Sequence, residues 1–130
     1  MDLPKIEMDA LKMLLEEAGR PYPELYEQLS VARIKNKKYT GVGFQLNLEI
    51  PHDAKRIKGS PTFPLALVFA EIKELKRGAG FVLFIKDGML TQLEGFTYDE
   101  PWPDMISEYR LEYQGSSDTG GELPILSKIH

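Results

Sequence analysis

A chain of 130 residues with 42% hydrophobic and 28% charged side chains fits one globular domain, large enough to bury about two-thirds of its unfolded surface. The absence of cysteine rules out disulfide staples and thiol nucleophiles and fits a reducing compartment. The net charge of −4 splits into 10 basic and 9 acidic residues over 1–60 against 6 and 11 over 61–130, which argues against a phosphate-neutralising nucleic-acid binder. No run approaches the roughly 20 apolar residues of a membrane span, and Met1-Asp2 lacks the basic opening of a signal peptide. The expectation is therefore a cytoplasmic protein with neither a nucleic-acid nor a membrane partner.

Pro4 suits a first helical turn, and Met8, Leu11, Leu15 and Ala18 recur at helical steps until Gly19 and Pro21. A second helix is expected from Glu24 to about Ile34, with Leu25, Leu29 and Ala32 on one face. The basic run Arg33, Lys35, Lys37 and Lys38 then complements its C-terminal dipole.

Residues 39–50 alternate cleanly, with Val42, Phe44, Leu46, Leu48 and Ile50 on one side, and so form a strand with one buried face. Pro51 ends it, and His52 to Pro64 reads as a long, mobile polar loop. Leu65–Leu75 is compatible with helix or strand. We read it as a strand, because Lys76–Gly80 makes a short hairpin into Phe81, with a βαβ element as the competing outcome.

The apolar run Phe81–Ile85 stops at Asp87-Gly88, a type I′ hairpin signal. With those two residues as the loop, Lys86 pairs with Met89, Phe84 with Thr91 and Val82 with Leu93. One face then carries Val82, Phe84, Met89 and Leu93, and the other Phe81, Leu83, Ile85, Leu90 and Phe96 beside Gln92 and Glu94. Tyr109, Leu111 and Tyr113 supply a last strand. The expected fold is α+β: two N-terminal helices on one face of a mostly antiparallel sheet of about five strands. Residues 1–114 form the domain, and the Gly/Ser-rich tract from Gly115 opens a flexible tail to residue 130.

Chemistry is sparse. His130 is the last residue, which leaves His52 as the one conventional imidazole base. No nucleophile elbow, phosphate loop, dinucleotide fingerprint or metal-ligand spacing occurs. No catalytic, metal or cofactor-binding residue is assigned.

The unusual stretch is 94–104, where Glu94, Phe96, Tyr98, Asp99, Glu100, Trp102 and Asp104 interleave rings with carboxylates, and Pro101 and Pro103 stiffen the backbone. Such a segment is either a patch offering aromatic anchors and negative charge to a basic partner, or a corner loop whose Trp102 closes the core.

The run GAGFVLFIKDGMLTQLEGFTYDEPWP resembles a segment of small bacterial immunity proteins of polymorphic-toxin and contact-dependent inhibition systems. The likeness spans roughly residues 71–103 and brings no catalytic residue. It implies a non-catalytic protein that occludes a cognate toxin, with Glu94, Asp99, Glu100 and Asp104 meeting basic groups while Phe96, Tyr98 and Trp102 fill adjacent pockets. The alternative is a small-molecule binding domain or carboxylate-dependent enzyme, with residues 95–104 as a lid over a cleft.

Overall fold

The computed structural model describes residues 1–114; the expected flexible tail, 115–130, lies outside the described residues. Two helices, α1 (Lys5–Glu17) and α2 (Glu24–Val31), precede six strands: β1 (Arg33–Tyr39), β2 (Gly43–Glu49), β3 (Phe63–Ile72), β4 (Ala79–Lys86), β5 (Met89–Thr97) and β6 (Tyr109–Tyr113). The strands form one antiparallel sheet in the order β1-β2-β5-β4-β3-β6. The α+β class is as expected, with six strands in place of five.

The extra strand comes from the basic run. Helix α2 ends at Val31 because Ala32 turns extended (φ −68°, ψ 147°), and residues 33–39 then pair with β2 along the sheet edge. Arg33, Lys35, Lys37 and Lys38 are therefore not helix-capping cations. They serve an edge strand, where lysines discourage further pairing. The β1–β2 turn takes in Val42, which is 47% exposed, so the buried side of β2 is Phe44, Leu46 and Leu48.

The β4–β5 hairpin turns at Asp87 (φ 51°) and Gly88 (φ 77°), the positive pair a type I′ turn requires. Lys86 pairs with Met89 as expected, but a bulge follows: Ile85 opposes Leu90 while Phe84 opposes Gln92, not Thr91, and Val82 opposes Glu94, not Leu93. Leu90 and Leu93 are three apart, so a regular strand would send them to opposite faces; the extra residue lets both point into the core. Leu93 accordingly joins Phe81, Leu83, Ile85 and Leu90 on the buried side. Gln92, Glu94 and Phe96 move to the side of Val82 and Phe84.

Residues 65–72 are strand, and the helical alternative does not occur. The connection from His52 is held down, in contrast to the expected mobile loop. Ile57 is buried, its amide donates to Gly88 O at 3.1 Å, and the Gly88 amide donates to Pro61 O at 2.8 Å. Gln28, fully buried in α2, completes the clamp by donating to Lys55 O and Gly88 O and accepting from the Leu90 amide at 2.8 Å. All of this lies on the helix side, where α1 supplies Ile6, Ala10, Leu11, Leu14 and Leu15 to the core.

Candidate functional site

Register places the side chains of the other sheet face in three rows. Across the sheet they read Gly43–Phe96–Gly80–Phe69, Gln45–Glu94–Val82–Leu67, and Asn47–Gln92–Phe84–Pro64. Among the described residues, neither helix contributes to this face. Of its apolar members, Phe69, Val82, Phe84 and Phe96 are half-buried and Leu67 is buried; none of the five belongs to the core cluster beneath the helices.

The face has two halves. Toward β1, amides form a ladder: Asn47 donates to Asn36 Oδ1 at 2.7 Å, and Gln92 donates to Asn47 Oδ1 at 2.9 Å. Toward β3 lie the apolar groups. Glu94 sits between the halves, flanked by Gln45 and Val82. Phe96 lies across Gly80, where a Cβ would come within 2.5 Å of its ring, so that glycine gives the ring its seat on the sheet.

The seven residues expected to form one patch are divided next to Thr97. Phe96 just before it and Tyr98 just after it pack edge to face, centroids 5.6 Å apart, on the side of Glu94. The Tyr98 hydroxyl is buried without a partner, and burial pushes its phenol above the ordinary range. Thr97 is pinned, its amide donating to Val42 O at 2.8 Å and its single hydroxyl proton shared between Val42 O and Glu100 O.

Beyond Tyr98 the chain crosses the end of the sheet to the helix side. Trp102 is half-buried, 5.1 Å from the Phe44 ring and 5.8 Å from Phe81, both edge-on, and its amide donates to Gly41 O at 2.9 Å. It closes the core end and cannot share one surface with Phe96 and Tyr98. Glu100 accepts from the amides of Lys76 and Arg77 at 3.0 Å, which hold its carboxyl below the usual range. Asp99, exposed and at positive φ, pairs with Arg77 at 3.2 Å. Asp104 is exposed at the rim of a cleft under α1.

That cleft, of about 380 Å³, is lined by Pro4, Glu7, Lys37, Tyr39, Trp102 and Tyr109 among others. Its floor is an ion pair: Lys37 Nζ donates to Glu7 Oε2 at 2.6 Å and lies over the rings of Phe44 (4.6 Å) and Tyr39 (5.2 Å). Glu7 is 2% exposed, and its Oε1 has no partner. The two partners respond unevenly. Burial raises the Glu7 carboxyl above its ordinary range more than Lys37 lowers it. Burial also opposes the Lys37 charge, but the bonds and charges of Glu7 and Tyr39 outweigh it and hold its ammonium more tightly protonated.

The sequence reading missed Glu7 and Lys37 because each looks like an ordinary helix or edge charge. One signal was available: an edge strand in the order Arg33–Tyr39 points Lys37 to the same side as Tyr39. Comparison with protein-family models, with curated proteins and with solved structures finds no match to this chain.

Proposed function

We propose that the chain is a non-catalytic binding protein of the immunity type its 71–103 segment resembles, and that it engages a protein toxin through the open sheet face. The observation that carries this reading is the half-buried band Phe69, Val82, Phe84 and Phe96, with Glu94 as the charge in its middle row. Apolar groups on a rigid sheet give a partner anchors at little ordering cost, and a carboxylate among them selects a basic contact. Of the seven residues first grouped, Glu94, Phe96 and Tyr98 belong to this contact. Asp99 and Glu100 are engaged in tying the loop to Arg77 and Lys76.

The test is titration of the purified chain against the product of the neighbouring gene, if that gene encodes a toxin-like protein. Phe84→Glu is expected to weaken binding by more than about 2 kcal/mol while circular dichroism stays native, and Glu94→Lys is expected to slow association. Wild-type affinity in both folded variants would remove the open face from the interface. A Trp102→Ala variant that alone lost binding, with its fold intact, would move the contact to the cleft side.

A further inference from the structure

The cleft beneath α1 carries an inference independent of the open face. Glu7 is the third residue of α1, the position from which a glutamate ordinarily reaches back to the N-cap amide. Here the N-cap is Pro4, which has no N–H to give. Oε1 is thus left as a buried acceptor with no donor, on a side chain that lines a cleft together with Tyr39, Trp102 and Tyr109.

The positive groups around it are already matched. Lys37 is bound to Oε2 of the same carboxylate and lies over two rings. Lys5 pairs with Asp9 at 2.9 Å, which also accepts from the Tyr109 hydroxyl at 2.6 Å. Asp104 adds a negative charge at the rim. What the cleft lacks is a cationic donor, and aromatic walls favour a cation over an anion.

We propose that this cleft binds an organic ammonium ion bearing at least one N–H, which donates to Glu7 Oε1 while its hydrocarbon stem lies against Trp102. The ion is either a free amine or the side chain of a lysine on a partner.

Trp102 is the one tryptophan of the chain, so its fluorescence reports occupancy directly. Titration of the full chain with n-butylammonium chloride is expected to give a saturable change, and the ¹³C carboxyl resonance of Glu7 is expected to move with the same midpoint. Tetramethylammonium, which has charge but no N–H, is expected to leave that resonance in place, and sodium butyrate to give no saturation. Glu7→Gln should weaken n-butylammonium binding by at least about tenfold, the value of one charge-assisted hydrogen bond, and the exposed Asp104→Asn by a smaller factor.

Nα-acetyl-lysine methylamide binding as tightly as n-butylammonium assigns the site to a partner's lysine, and its exclusion assigns it to a free amine. Several results would overturn the proposal: a Glu7 resonance unmoved at saturation, butyrate binding in place of the amine, or no saturation up to about 100 mM, an affinity too weak to be specific. If Glu7→Gln does not fold, the wild-type resonance alone decides.

Discussion

The two faces of the sheet are built from the same strands and solve different problems. On the helix side, Phe44, Leu46, Phe81, Leu83 and Leu93 are fully buried beneath α1 and α2. On the other side the same strands present Gln45, Asn47, Val82, Phe84 and Glu94, all half-buried. The difference separates what holds the fold from what is free to serve a partner. Two phenylalanines of β4 make the separation measurable. Phe81→Ala removes a ring packed on Phe44 and Trp102 and should cost about 3–5 kcal/mol in denaturant unfolding. Phe84→Ala, three residues away on the open face, should cost less, about 1–2 kcal/mol, since part of its ring already meets solvent. Equal costs would mean that the open face is a second core and not a surface for a partner.

The alternation of β2 and the Asp87-Gly88 turn made the centre of the sheet legible, because both depend on neighbours within a few residues. The face assignment of β5 was not legible, since it rests on a bulge. That bulge exists only because Leu90 must reach the core beside Gln28 while Leu93 faces Leu83. The candidate patch failed as a unit for a related reason. Seven acidic and aromatic residues adjacent in sequence say nothing about Thr97, whose bonds to Val42 and Glu100 carry the chain around the sheet end. Strand β1 was missed because four cations after a helix satisfy a local rule, whereas the pairing that overrides it lies with β2.

The cleft side of the comparison breaks at Lys37. Lys37→Met would leave the Glu7 carboxylate buried without its cation, and with the Lys37 side chain still 19% exposed to screening solvent the expected loss near neutral pH is about 2–3 kcal/mol. The sign with pH follows from Glu7, whose carboxyl is raised in the fold. A raised carboxyl contributes stability below its unfolded value and loses it as pH rises through its folded value. Without Lys37 that rise grows, so the deficit of the variant should shrink as the solution is acidified through the Glu7 titration. A deficit that stayed constant from neutral pH into the acid range would show that the side chain acts by packing on Tyr39 and Phe44 alone.

The smallest effect belongs to the loop between the faces. Glu100 is solvated, yet its two oxygens accept the amides of Lys76 and Arg77, and those bonds lower its carboxyl. A lowered carboxyl stabilises the fold above its unfolded value and ceases to do so as pH falls through the folded value. Glu100→Gln keeps an oxygen acceptor but loses the charge, so thermal unfolding near neutral pH should shift slightly downward. The difference from wild type should vanish in acid, where both side chains are neutral. Amide exchange at Lys76 and Arg77 checks the cause, because faster exchange at these two positions, with Leu83 and Leu93 unchanged, ties the loss to the loop anchor. Unchanged exchange there would mean that Thr97 and the Trp102–Gly41 bond hold the crossing without help from Glu100, and the division between the two faces would then rest on Thr97 and that bond.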